Sequence, residues 1–243
     1  MNRNVVLMYH DIVTMSDKSS GFQNESAFMY KVDATIFEKQ VKDAKDNVTF
    51  TFDDGGFSFL TLAAPILEKY RKRGVFFIST KYIDTPGFLS REQIIELSKR
   101  GHVIGSHSHS HPSNMAVLSK DELLFEWKES VRILSNILGR PVSIASIPNG
   151  YDSKEVIDTA IATGITELHT SRPTMDVDVR KGCKVVGRYV IHDKMSNDYV
   201  SSIIQDSTVR RKLYWRWQAI NLIKLLLGNS YNRVKMLIRR KKY

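Results

Sequence analysis

The chain has 243 residues, of which 42% are hydrophobic and 10% aromatic, and its formal net charge at pH 7 is +10. These values are typical of a globular protein long enough to bury one large core, and they exclude an intrinsically disordered chain. The single cysteine, Cys183, excludes an internal disulfide framework, and no apolar run reaches the roughly 18 residues expected of a membrane-spanning helix.

The first half of the chain predicts alternating strands and helices. Apolar runs rich in β-branched and aromatic residues indicate buried strands, and capping residues such as Asp33 mark where helices begin. The expected elements are, in order, a strand over 5–9, a polar loop over 16–31, a helix from Asp33 to about Lys45, a strand over 48–52, a helix over about 60–73 and a strand over 75–78.

The second half continues the same alternation. Ser90 and Gln93 have the spacing of a capping box, so a helix is expected to begin there and to end at Gly101. The expected elements after it are a strand over 103–105, a helix over about 120–138, a strand over 142–145, a helix over 153–163 and a last strand over 185–191. Strands and helices that alternate in this way are typical of parallel βαβ units, and hence of an α/β fold.

Three polar clusters follow three successive predicted strands. They are Asp53-Asp54-Gly55, the histidine-rich stretch 107–111 and Pro148-Asn149-Gly150. Because the carboxyl ends of parallel strands meet at one face of an α/β barrel, we expect these clusters to lie together.

The second cluster predicts a metal site. One helical turn would place His107 and His111 on one face, because they are four residues apart. Two imidazoles and one carboxylate suit zinc or a similar divalent ion, with positions left open for water and substrate. A second, adjacent carboxylate can then act as general base on that water.

At these residues the sequence resembles the polysaccharide deacetylases that carry a NodB homology domain (carbohydrate esterase family 4). Thr51-Phe52-Asp53-Asp54-Gly55 matches the motif TFDDG, His107-Ser108-x-x-His111 matches H(S/T)xxH, and Pro148-x-Gly150 matches the centre of RxPYG. The resemblance covers about residues 5–192. It implies a distorted or incomplete (β/α) barrel of the NodB type, to which this chain adds a basic C-terminal helical tail.

The resemblance also implies roles for individual residues. Asp53 would be the general base, and Asp54, His107 and His111 would bind one divalent ion, expected to be zinc, with cobalt or nickel as alternatives. The backbone N–H of Asn149 would stand where the family places an oxyanion donor. The flanking residues of the third motif, Pro148 and Gly150, are expected to contact substrate.

Two histidines are candidates for the general acid. The usual family motif for this residue, LxxH, has no clear copy here. His10, in Tyr9-His10-Asp11-Ile12, resembles the branch of the family whose N-terminal YHxI/V strand supplies the acid, and we prefer it. His192 is the alternative.

The third motif departs from the family pattern. Ser146 stands where the family has an arginine that orients the base, and Asn149 stands in place of its tyrosine. We expect Arg188, in the last predicted strand, to replace the missing arginine in space.

The positive charge is concentrated at the C-terminus. Residues 207–243 contain 11 Lys and Arg and no Asp or Glu, whereas the preceding residues carry 25 basic and 26 acidic side chains. We therefore predict a barrel over 1–206 and a basic helical extension over 207–243. Cations mixed with apolar residues over 210–243 suit an anionic membrane surface; packing on the barrel is an alternative, and nucleic-acid binding is not expected.

The function expected is N-deacetylation of an N-acetylated sugar, in a glycan or a lipid-linked precursor, as part of cell-surface glycan biosynthesis. A non-catalytic relative that binds metal together with a glycan or a partner protein is an alternative. So is an amidohydrolase of a non-sugar amide. The N-terminus has no predicted signal peptide, so the expected location is the cytoplasm, with the tail at the inner face of the membrane.

Overall fold

The computed structural model describes residues 4–227. The nine strands of its main sheet are β1 (Val5–Tyr9), β4 (Val48–Phe52), β5 (Gly74–Ile78), β6 (Val103–Ser106), β7 (Ile144–Ser146), β8 (Glu167–His169), β9 (Val177–Arg180), β10 (Cys183–Val186) and β11 (Tyr189–Val190). They are arranged in the order β11-β1-β4-β5-β6-β7-β8-β10-β9. Every neighbouring pair is parallel except the last, β10 with β9.

A small parallel pair, β2 (Ile12–Val13) and β3 (Val32–Asp33), lies beside this sheet. The helices are α1 (Glu25–Phe28), α2 (Ala34–Asp43), α3 (Ala64–Lys69), α4 (Arg91–Lys99), α5 (Lys120–Leu138), α6 (Lys154–Ala162), α7 (Asn197–Gln205) and α8 (Ser207–Leu227). Helices that alternate with parallel strands confirm the α/β fold expected from the sequence. In the described part of the chain, no helix is both long and apolar enough to cross a membrane.

Local sequence determines where several helices begin. The expected capping box at the start of α4 is present, because Ser90 and Gln93 bond reciprocally to each other's backbone N–H. Helix α5 begins with a second capping box, made by Ser119 and Glu122. The side chain of Asp33 caps α2, as its position before that helix predicts.

The predicted last strand over 185–191 is wrong, because the chain forms two strands there. Strand β10 lies next to β8, whereas β11 lies next to β1 at the other end of the strand order. Only Gly187 and Arg188 join these two strands, and so short a link can span little more than about 11 Å. The sheet must therefore curve until its ends nearly meet, which produces a distorted, incomplete barrel.

The helix expected over 60–73 is shorter than predicted. A π-helical turn over Phe59–Ala63 leads into α3, which ends at Lys69. Arg71 has a left-handed φ of 57°, and the chain turns here into β5. Gly74 is the first residue of that strand and does not end the helix.

The layer between the sheet and the surrounding helices is rich in aromatic side chains. The ring of Phe52 lies 5.6 Å from those of Tyr9 and Phe37 and 4.9 Å from that of Phe76. All four residues are fully buried. This packed core fixes the carboxyl ends of β1 and β4, which His10 and Asp53 follow directly.

Candidate metal and active site

The polar clusters meet at the carboxyl edge of the sheet, as predicted. Strands β1 and β4 pair in parallel with Tyr9 opposite Phe52, so His10 and Asp53 leave the sheet side by side. The histidine-rich stretch follows β6, and Pro148–Gly150, a tight turn with Asn149 in the left-handed region, follows β7.

Three side chains converge as a potential metal site. The ligand atoms of Asp54, His107 and His111 all lie within 4.8 Å of one another. Asp54 Oδ1 lies 3.4 Å from His107 Nε2 and 3.1 Å from His111 Nε2. This oxygen is buried and has no hydrogen-bond partner among the described residues. A buried, unpartnered carboxylate oxygen facing two imidazoles fits a divalent cation.

The tautomer of His107 also fits metal binding. Its Nδ1 atom lies 3.1 Å from the backbone oxygen of Ser146, and a carbonyl oxygen can only accept. Nδ1 therefore carries the proton, which leaves Nε2 with a free lone pair toward Asp54.

The backbone around this potential metal site is locally strained. Asp54 has φ 84°, and Ser108 and His111 have φ 62° and 57°, in the left-handed region that costs non-glycine residues free energy. The helical turn expected over 107–111 is therefore wrong. The stretch is a loop, and it presents His107 and His111 to Asp54 by these left-handed residues.

His109, between the two ligands, points elsewhere. Its Nδ1 atom lies 3.0 Å from Thr80 Oγ1, and its ring packs against Phe125. It does not belong to the convergent group.

Asp53 forms a buried, bidentate ion pair with Arg188. The two contacts are 2.6 Å from Nη1 to Oδ1 and 2.8 Å from Nη2 to Oδ2. Arg188 is fully buried, and it also donates to Thr51 Oγ1 at 3.2 Å and to the backbone oxygen of Thr170 at 3.1 Å. The sequence-based placement of Arg188 beside Asp53 therefore agrees with the geometry.

These contacts determine the ionisation of the two aspartates. Burial raises the pKa of Asp53, but the charge and hydrogen bonds of the Arg188 guanidinium outweigh it and hold that pKa below its ordinary value. Burial also raises the pKa of Asp54, but the close approach of the His107 and His111 imidazoles outweighs it and holds that pKa well below its usual range. Both carboxylates are therefore ionised at neutral pH.

Ser146 has a role that the sequence did not reveal. Its hydroxyl lies 2.6 Å from His107 Nδ1 and donates to Asp53 Oδ1 at 3.3 Å. The residue that stands in place of the family's arginine thus links His107 to Asp53. Sequence reasoning identified this position only as a departure from the motif.

The third cluster lines the same edge. Asn149 has φ 56°, and its side-chain amide donates to the backbone oxygen of Pro112 at 3.3 Å. Pro148 is buried. A Cβ on Gly150, which has φ +70°, would lie 2.0 Å from Ser171 Oγ, so only glycine fits there without rearrangement.

The two candidate acids lie at different distances from Asp53. His10 follows β1, which is adjacent to β4, whereas His192 follows β11, on the far side of β1. Neighbouring strands are about 4.8 Å apart, so His192 lies one strand farther away. His10 packs on Tyr30 with ring centroids 4.6 Å apart, and its Nδ1 atom is buried without a hydrogen bond in the described structure.

A comparison with protein families gives the chain its class. The family model for polysaccharide deacetylase matches residues 40–168, which is more than half of the chain. The chain therefore belongs to the polysaccharide deacetylase family, a family of hydrolases, and this confirms the resemblance found in the motifs.

Curated relatives are distant. The putative polysaccharide deacetylase YxkH of Bacillus subtilis is 29% identical over 132 residues, covering 54% of this chain and 47% of that protein. The peptidoglycan-N-acetylglucosamine deacetylase of Bacillus cereus is 27% identical over 169 residues, covering 68% of this chain and 57% of that protein. The chain thus spans about half the length of the curated relatives it matches.

Solved structures share the fold. The Streptococcus pyogenes deacetylase PplD, in complex with acetate, superposes with a TM-score of 0.70 at 22% identity, covering 83% of this chain and 98% of that one. IcaB from Ammonifex degensii superposes with a TM-score of 0.66 at 20% identity, covering 83% of this chain and 96% of that one. These similarities confirm the distorted barrel of the NodB type.

Proposed function

We propose that this chain is a metal-dependent N-deacetylase of an N-acetylated sugar, in a glycan or a lipid-linked precursor. The observation that carries the proposal is the placement of Asp54, His107 and His111 within 4.8 Å of one another, with the Arg188-paired carboxylate of Asp53 beside them. The peptidoglycan-N-acetylglucosamine deacetylase among the relatives supports an N-acetylated sugar as the substrate class.

Asp54, His107 and His111 would hold the ion, and the donor set favours zinc. A divalent ion bound there supplies Lewis acidity to an amide carbonyl and lowers the pKa of a water molecule. Asp53, ionised and fixed by Arg188, accepts a proton from the attacking water. The backbone N–H of Asn149 stabilises the developing oxyanion, a contribution worth about 3–4 kcal/mol in comparable sites.

His10 donates a proton to the departing nitrogen, because an amide nitrogen is a poor anionic leaving group. Its place on the strand adjacent to β4 supports this role. We expect His10→Gln to reduce turnover strongly, whereas His192→Gln retains most of it. A strong loss in the His192 variant alone would transfer the role to that residue.

The proposal is tested by acetate release together with metal content. Substrates would be N-acetylglucosamine oligomers, peptidoglycan fragments and an isoprenoid-diphosphate-linked N-acetylated sugar. We expect Asp53→Asn to abolish release while retaining bound metal, and Asp46→Asn, at an exposed carboxylate, to behave like the wild type. If the wild type holds metal but releases no acetate from any substrate, then the two alternatives, a binding protein or a hydrolase of non-sugar amides, replace the deacetylase.

We further propose that α8 contacts an anionic membrane surface. Trp215, Leu222 and Ile223 are 69%, 58% and 46% exposed, on a helix with no acidic residue, which is the chemistry of an interfacial helix. Val209 and Leu213, in contrast, pack against the core of the barrel, so part of the helix is anchored. Residues 228–243, the rest of the predicted tail, lie outside the described residues.

Flotation with vesicles of anionic phospholipid tests this contact. We expect the wild type to float, and Trp215→Ser/Leu222→Ser to float much less. Met15→Ser, at an apolar side chain that is 92% exposed on another part of the surface, is the matched control. No flotation of the wild type would remove the membrane as a partner.

A further inference from the structure

Glu126 is a buried acid outside the convergent group of ligands. It lies on α5 and is 5% exposed. Its Oε2 atom accepts the backbone N–H of His109 at 2.9 Å and that of Ser110 at 2.8 Å, and Oε1 accepts the Ser110 hydroxyl at 2.5 Å. All three bonds reach residues that lie between the ligands His107 and His111.

The same face of α5 makes a second contact with this loop. Ser130 lies one helical turn after Glu126, and its hydroxyl is 2.6 Å from that of Ser106. Ser106 Oγ in turn accepts the N–H of Ser108 at 3.2 Å. Helix α5 therefore supports the loop at its beginning and in its middle.

The carbonyl side of the loop is held by the chain after β5. Thr80 N–H donates to the backbone oxygen of Ser108 at 3.3 Å, and Lys81 N–H donates to that of His109 at 2.9 Å. The loop is thus fixed between α5 and this turn. Bonds from both sides stabilise the left-handed φ angles of Ser108 and His111, which are unfavourable without such support.

We propose that Glu126 is a positioning residue for the metal site, holding the loop so that both imidazoles reach Asp54. The inference rests on the proposed metal centre and adds a residue that acts on the ion through the backbone. Its contribution comes from the length of its side chain, because its three hydrogen bonds to the loop go to His109 and Ser110 and not to the proposed ligands.

Two substitutions of Glu126 separate the effect of its side-chain length from the effect of its charge. Glu126→Asp keeps the negative charge but withdraws both oxygens by one methylene from the N–H groups of His109 and Ser110. Glu126→Gln removes the charge but keeps an oxygen at full reach, and its amide nitrogen can donate to the Ser110 hydroxyl. Asp121→Asn, on the exposed side of the same helix, is the matched control for loss of an acidic charge.

The measurement is zinc affinity of the full chain, by competition with a chromophoric chelator, with circular dichroism to verify folding. We expect Glu126→Asp to weaken binding by about 10–100-fold, the range typical of residues that orient metal ligands. The Glu126→Gln and Asp121→Asn variants should stay close to the wild type. A Gln variant that loses as much affinity as the Asp variant, or an Asp variant that binds as tightly as the wild type, overturns the inference. Absence of zinc binding in the wild type would instead refute the metal centre itself.

Discussion

Asp53 and Asp54 are neighbours in the sequence, yet their carboxylates have different partners. Asp54 faces His107 and His111, whereas Asp53 lies against Arg188. The left-handed φ of Asp54 separates the two side chains. One dipeptide thus supplies both a potential metal ligand and an ionised carboxylate beside it.

The ion pair of Asp53 gives a prediction about Arg188. Arg188→Met leaves a buried carboxylate without its cation, which costs about 3–5 kcal/mol of unfolding free energy. Turnover should also fall, because Asp53, the proposed general base, loses the group that orients it. Urea unfolding and acetate release would measure the two effects.

The matched control for this prediction is Arg180→Met. Arg180 pairs with Asp178 on the surface, where an ion pair contributes only about 0–1 kcal/mol. Equal losses of stability in the two variants would contradict the assigned importance of the buried pair.

Residues of the site could be predicted from the sequence where they belong to a local motif. Asp54, His107 and His111 could be placed together because each follows a strand of one parallel sheet. The contact of Ser146 with both His107 and Asp53 could not, since it depends on how β7 is positioned against β4 and β6. A hydroxyl in a short apolar strand gives no signal of such a contact.

At the scale of the elements, His102 lies between α4 and β6, at the end of the barrel opposite the site, and connects β5 with α3. His102 Nδ1 accepts the N–H of Gly74 at 3.0 Å, and His102 Nε2 lies 3.0 Å from Glu68 Oε1. The first contact requires an unprotonated Nδ1, so the neutral imidazole joins α4, β5 and α3.

This arrangement predicts a pH dependence of stability. Burial lowers the pKa of His102, and the hydrogen bond to Glu68 opposes this only in part, so the pKa stays below its ordinary 6.5. The unfolded chain therefore binds a proton first as the pH falls. The contribution of neutral His102 to the free energy of unfolding is present above about pH 6.5 and is lost as the pH decreases through the pKa of His102 in the folded state.

The measurement is the free energy of urea unfolding between pH 7.5 and 5.5 for the wild type and for His102→Gln. We expect the wild type to lose more stability than the variant over this interval, because glutamine does not titrate. The interval lies above the range in which Glu68, whose pKa is lowered, would titrate. If the free energy of unfolding changed equally with pH in the two proteins, the assignment of this pH dependence to His102 would be wrong.

Elements bounded by clear capping signals were predicted well, whereas the C-terminal strands were not. The helices that begin after Ser90 and Ser119 carry capping boxes, which are local signals. The run over 185–191 is uniformly suited to a strand, and nothing within it shows that its two halves join opposite ends of the sheet. That break is determined by closure of the barrel, which is a long-range effect.

At the scale of the whole molecule, the potential metal ligands come from distant parts of the chain. Asp54 follows β4, and His107 and His111 follow β6, so the site exists only in the folded state. An ion that binds the folded state alone stabilises it by about 4 kcal/mol at a concentration 1,000 times its dissociation constant.

We therefore expect added zinc to raise the midpoint of thermal unfolding. His111→Ala should lose this increase because it removes a ligand. His109→Ala, which lies in the same loop but whose ring faces Thr80 and Phe125, should retain it. An equal increase in the His111 variant would place the ion elsewhere.

The link between β10 and β11 has a consequence for the time at which the site is completed during synthesis. Asp53 and Arg188 are 135 positions apart, so the ribosome adds the guanidinium long after the aspartate, and long after His111. When Asp54 and the two histidines have been synthesised, the carboxylate of Asp53 still lacks its counter-ion. Full assembly of the site therefore waits for the last strands to emerge, and a chain terminated before residue 188 cannot complete it.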